Sequence, residues 1–208
     1  MNKLAILGAS GHGKVLADMA ELIGWQSVTF FDDAWPTVVH NGHWSVVGNT
    51  DALLQQLSSF DGVIVGIGNN AIRLDKQALL TAHCAPLISL IHPSAQISRY
   101  GYIGVGTAIM ASATINLDCD IGAACIINTH ASIDHDCQLA DGVHISPAAA
   151  LAGGVIIERG AWIGIGANVR QLITIGANAL VGAGGVVVKP VLPNTCVAGN
   201  PAKILKQC

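Results

Sequence analysis

The chain has 208 residues, 51% of them hydrophobic and only 11% charged, with a formal net charge of −3. That balance gives no basic field for nucleic acid, and no apolar run reaches the roughly 18 residues needed to span a bilayer. The six cysteines include no CxxC pair, which argues against a thiolate zinc site.

At the start, Leu4-Ala-Ile-Leu7 reads as a short buried strand, its apolar stretch too short for a signal peptide. Gly8-Ala-Ser-Gly-His-Gly13 follows as a loop, then a helix over Lys14 to Ile23. A second strand, Val28 to Phe31, ends in Asp32-Asp33. A poorly patterned loop holds His40 and His43, and a helix is expected near Asp51 to Leu57. Val63 to Ile67 reads as a third buried strand, followed by Gly68-Asn69-Asn70 and a helix through Leu80. Strand and helix in alternation imply a small parallel α/β unit, half the size of a typical Rossmann domain, with ligand loops at the carboxyl ends of its strands.

Three such loops fall on one edge. Glycines allow backbone N–H groups to approach a phosphate, and a helix N-terminus adds a favourable dipole. Carboxylates ending a second strand can accept hydrogen bonds from ribose hydroxyls or a base edge. The candidate substrate-binding residues are therefore Gly11, His12, Gly13, Asp32, Asp33, Gly68, Asn69 and Asn70. The spacing does not match GxGxxG, so a nucleotide-linked ligand is expected rather than a dinucleotide.

From Ile91 the rhythm changes. Every sixth residue through Val187 is Ile, Leu or Val, without interruption over seventeen slots. Neither a helix nor a lone strand has period six; a hexapeptide β-helix does. Four residues after each anchor stands a second, mostly small stripe, including Cys119, Cys125, Ala131, Cys137 and Ala149. A narrow triangular prism accepts one bulky side chain per face beside small neighbours. The anchors and the small stripe should point inward, and the second and third positions after each anchor should form corners. The three stripe cysteines are expected to be reduced core residues of a cytoplasmic protein.

GASGHG, Asp32-Asp33, the run Gly66 to Arg73 (GIGNNAIR), Leu90-Ile-His-Pro-Ser94 leading into hexapeptides and the closing Ala198-Gly-Asn-Pro-Ala-Lys203 occur together. The combination resembles the bacterial sugar acyltransferases of the bacillosamine/perosamine N-acetyltransferase and sialic acid O-acetyltransferase group. The resemblance implies an α/β domain over residues 1–86 and a left-handed parallel β-helix over 87–208. It also implies a homotrimer, with acetyl-CoA as co-substrate held between adjacent β-helices and no metal. By the same resemblance His135 is the general base and Asp136 orients it, with Asp134 a possible competitor. Asn128 and His144 are placed near the reacting groups, and Gly153 offers its N–H to the thioester oxygen. The implied acceptor is the 4-amino group of a nucleotide-linked 4-amino-4,6-dideoxy sugar, UDP-linked first and GDP-linked next, for a surface glycan or glycoprotein. O-acetylation of sialic acid is the third choice.

Two readings compete. Some hexapeptide trimers are zinc carbonic anhydrases, and His130 and His135 stand five apart with His92 upstream, so three imidazoles with an open position are conceivable. A non-catalytic binding scaffold is the other. The nucleotide-type unit has no purpose in the first, and a His-Asp corner argues against the second.

Overall fold

The structure is a computed structural model that describes residues 2–207. The chain forms two compact units that meet in sequence at Leu90 and Ile91. The expected boundary at residue 86 falls slightly earlier. Residues 86–88 belong to the first unit because Leu87 bridges Val63, the Val63 amide bonds to the Pro86 carbonyl and the Ile88 amide to the Val63 carbonyl.

The first unit runs β1 (Lys3–Leu7), α1 (Gly11–Leu22), β2 (Ser27–Phe31), β3 (His40–Asn41), β4 (Trp44–Gly48), α2 (Thr50–Gln55), β5 (Gly62–Val65) and α3 (Asn70–Ala82). The sheet order is β3-β4-β2-β1-β5, with β1 parallel to both β2 and β5. β5 and the last four residues of β1 are buried throughout, as two-sided parallel strands require.

Two features differ from the sequence reading. α1 starts at Gly11 rather than Lys14, with the Lys14 amide already bonded to the Ser10 carbonyl; two glycines in its first turn disguise it, glycine being a poor helix former. The stretch read as a loop contains the β3–β4 hairpin, turned at Gly42 with φ +65°. β4 lies parallel to β2, and Trp44 packs edge-on against Phe30 at 6.2 Å.

The glycines near α1 serve different ends. Gly8 has φ +114°, a conformation other residues rarely adopt. A Cβ on Gly66 would lie 2.8 Å from the Gly13 Cα and 2.9 Å from the Gly8 carbonyl oxygen, so these three let strand and helix close together. Gly11 and Gly68 have open space where a Cβ would stand.

The second unit is a left-handed parallel β-helix of two-residue strands, an exception to the right-handed crossover rule. Its first face stacks Leu90–Ile91, Ala108–Ile109, Ile126–Ile127, His144–Ile145, Trp162–Ile163 and Leu180–Val181 and ends in the hairpin Thr195–Ala198 and Lys203–Gln207. The second face runs from Gln96–Ile97 to Val186–Val187, and the third from Tyr102–Ile103 to Thr174–Ile175. Each strand pairs in register with the one eighteen residues on, as Ile127 with Ile145.

The anchors and the small stripe make one continuous core from Ile109 to Val197. Each buried anchor contributes roughly 1.5–3 kcal/mol. Cys119, Cys125 and Cys137 are free thiols within it, and each Sγ lies near a carbonyl fifteen residues ahead, at 3.1, 3.3 and 3.4 Å. The corners follow a third rule: from Gly106 to Gly184, every third residue after an anchor has positive φ. No helix among the described residues is long and apolar enough to cross a membrane.

Candidate active site

Ile133 ends a strand of the second face, so His135 and Asp136 take the two corner positions before the third face begins at Gln138. The αL backbone of Asp136, φ +60°, is one that aspartate tolerates better than most residues. It lets the Asp136 Oδ2 meet His135 Nδ1 at 2.6 Å. Asp134 is engaged elsewhere, because its Oδ1 accepts the His135 backbone N–H at 2.9 Å and the Asn116 amide at 2.9 Å. The competition between the two carboxylates thus resolves with Asp136 on the imidazole.

The hydrogen bond to Asp136 raises the His135 pKa above its usual 6.5, and the nearby Asp134 charge pushes the same way against an opposing effect of desolvation. With Nδ1–H donated to a carboxylate, Nε2 keeps its lone pair. The ring lies against Gly153, one coil on, where an added Cβ would sit 2.6 Å from both Cε1 and Nε2. The Gly154 amide bonds to the His135 carbonyl, whereas the Gly153 amide donates to nothing among the described residues. An imidazole nitrogen and a free N–H are therefore side by side on one edge, in a concavity of about 610 Å³.

Asn128 and His144 form a separate pair. The Asn128 side-chain amide meets His144 Nε2 at 3.2 Å, and its Oδ1 accepts the Thr129 amide. His144 belongs to the first face, so within one chain this pair lies off the corner that carries His135. What fixes the pair is absent from the sequence reading. Trp162, directly below in the next coil, stacks on the His144 ring at 5.0 Å and 12°, and its Nε1 donates to Ser146 Oγ at 2.7 Å. The spacing of eighteen between His144 and Trp162 is the signal that finds it.

In the first unit most of the singled-out polar side chains are engaged in hydrogen bonds within the chain. Asp32 accepts the Ala9 amide at 2.7 Å and the Ala34 amide at 2.8 Å, so it ties the loop before α1 to the end of β2. Partial burial would raise the Asp33 pKa, but hydrogen bonds from Lys76 and Thr50 outweigh it and hold the value at about 2. Asn69 caps α3 through the Ile72 amide, and Asn70 accepts from Arg73, itself only 1% exposed. Arg73 also donates to the Ile67 and Gly68 carbonyls. His12 is the exception. Burial first, and the Arg73 charge second, lower its pKa to about 4, so the ring is neutral, and its buried Nε2 has no partner among the described residues. This nitrogen lies at the first turn of α1, beside the open Gly11.

No group of three or more His, Cys, Asp or Glu side chains among the described residues is arranged to hold a metal. His92 Nδ1 meets the Ser94 hydroxyl and amide instead.

Comparison with known proteins identifies the family. Residues 3–78 match the PglD N-terminal domain. PerB from Caulobacter crescentus, solved in complex with CoA and GDP-perosamine, superposes with a TM-score of 0.94 at 37% identity over 99% of this chain and 98% of that one. The acetyltransferase domain of PglB from Neisseria gonorrhoeae, solved in complex with acetyl coenzyme A, gives 0.93 at 40% identity over 99% and 100%. UDP-N-acetylbacillosamine N-acetyltransferase of Bacillus subtilis is 40% identical over 117 residues, about half of each chain: 53% of this one and 52% of that one. On the full-length similarity, the chain belongs to the hexapeptide-repeat amino-sugar N-acetyltransferases.

Proposed function

We propose that the protein transfers the acetyl group of acetyl-CoA to the 4-amino group of a nucleotide-linked 4-amino-4,6-dideoxy hexose, with His135 as general base. The observation that carries the reading is the pairing of His135 Nε2, polarised by Asp136, with the unoccupied Gly153 N–H on one edge. The sugar nitrogen attacks the thioester carbon while His135 takes its proton. The oxygen of the tetrahedral intermediate gains charge and meets the Gly153 N–H. Collapse expels the CoA thiolate, which recovers the proton from the imidazolium. Asp136 stabilises that cation and holds the ring.

The similarity supports UDP and GDP equally, since one relative is named for a UDP-linked sugar and another was solved with a GDP-linked one. The first unit is the nucleotide-binding part in this reading, with His12, Gly11 and the loop held by Asp32 facing the ligand. The cytoplasm is the compartment this reading implies, and a surface glycan or glycoprotein is the destination. Asp32→Ala should raise the KM for the nucleotide sugar about tenfold, because the Ala9 amide loses its anchor, and leave that for acetyl-CoA unchanged. Equal effects on both would refute the division of labour.

The separation of Asn128 and His144 from His135 within one chain favours a site completed by a second copy, and a closed homotrimer is the assembly we infer. Co-expressed His135→Ala and His144→Ala chains with different tags test this. Mixed assemblies should regain activity that each variant lacks alone. Mixed assemblies as inactive as the parents would place the whole site in one subunit.

A further inference from the structure

The outer column of the first face runs Leu90, Ala108, Ile126, His144, Trp162 and Leu180, one residue per coil. The residue after each of the last five supplies the core, so nothing inside the prism requires an aromatic ring in this column. Trp162 is 36% exposed, which leaves apolar surface towards solvent. Its neighbour His144 gives it a use. The two rings lie 5.0 Å apart and 12° from parallel, and His144 is only 8% exposed although it belongs to the outer column. The Trp162 Nε1 donates to Ser146 Oγ at 2.7 Å, and Ser146 is itself buried, two residues after His144 on the same coil. The indole is thus tied to the coil whose histidine it supports, and it cannot swing off the imidazole without losing that bond.

The stack sets the plane of the His144 ring, and Asn128 sets its rotation within that plane. The Asn128 Oδ1 accepts the Thr129 backbone N–H at 2.8 Å, which fixes the amide and leaves Nδ2 facing His144 Nε2 at 3.2 Å. Nδ2 can only donate, so Nε2 accepts, and the proton of the neutral ring sits on Nδ1. Stack and hydrogen bond together select one orientation and one tautomer. The β-helix itself needs neither at an outer position; a histidine that meets a ligand needs both.

We propose that Trp162 is a positioning residue for acetyl transfer, holding the His144 ring flat so that His144 and Asn128 meet the reacting groups in one geometry; this rests on the reading above that places His144 in a site shared between copies. Trp162→Leu keeps apolar bulk and removes the aromatic plane. Its kcat should fall about 10–100-fold, because small misplacement of a site group is costly, while the KM for each substrate stays within about twofold. Trp162→Phe keeps a ring beside the imidazole but offers Ser146 no N–H, and should recover kcat to within about fivefold of wild type. Nitrogen NMR of the histidine side chains should show the His144 Nδ1–H tautomer in the wild type and a mixture of tautomers in Trp162→Leu. In a His144→Ala background, Trp162→Leu should add little further loss. Full kcat in Trp162→Leu would overturn the proposal, as would equal losses with and without His144. A smaller assembly in Trp162→Leu would also overturn it, by making the indole a subunit-packing residue. Full activity in His144→Ala alone would remove His144 from the site, and this inference with it.

Discussion

Replacing His135 by alanine is expected to lower kcat by about 10²–10⁴, the span usual for loss of a general base. The side chain sits at an exposed corner and supports no core packing, so Tm and the affinity for both substrates should barely change. Asp136→Asn keeps the imidazole but weakens its cation and should cost less. The pH profile carries the same information. Only neutral imidazole accepts the proton, and the Asp136 hydrogen bond raises the His135 pKa above 6.5. In the wild type kcat/KM should therefore fall as pH drops through a midpoint above that value. In Asp136→Asn the midpoint should move down, because the stabilising carboxylate charge is gone. A His135→Ala enzyme with nearly full kcat and an unaltered profile would place the base elsewhere, and His144 would be tested next.

Gly153→Ala should be stable and nearly inactive. The added Cβ would stand 2.6 Å from His135 Cε1 and Nε2, so something must move, and the exposed ring moves more easily than the coil. Gly153 is not among the residues with positive φ, so alanine adds no backbone strain there. The expected result is a loss in kcat of about 10²-fold, since small misplacement of a catalytic group is costly, with Tm within about 2 °C of wild type. A variant that retains activity would mean that the imidazole works from a position clear of Gly153. A variant that unfolds would point to a packing role for the glycine. His135→Ala/Gly153→Ala measured beside the single variants separates these cases. If the methyl acts only by displacing the ring, the second substitution should add little to the first.

The β-helix was legible because each coil repeats one demand, an anchor inside and a small residue beside it, so the pattern in Ile91 to Val187 reports burial directly. The corner that carries His135 and Asp136 follows from the same register. Whether Asp134 or Asp136 holds the imidazole did not follow from spacing, because it depends on the αL turn at Asp136, which points one carboxylate back to the ring and leaves the other to the backbone. The spacing of eighteen places Trp162 one coil from His144, but spacing alone does not show that the two rings stack. In the first unit β4 was hidden by a short hairpin with little apolar alternation. The structural roles of Asp32, Asn69 and Asn70 were hidden because a cap, a loop tie and a ligand contact all favour the same polar residues.

Acetyl transfer from CoA to a nucleotide-linked amino sugar is tested most directly by thiol release from acetyl-CoA across UDP-, GDP- and dTDP-linked 4-amino-4,6-dideoxy hexoses and free sialic acid. Rapid release with a UDP- or GDP-linked amino sugar, abolished in His135→Ala, is the expected result. Release with sialic acid alone, or with none of the amino sugars, would contradict it.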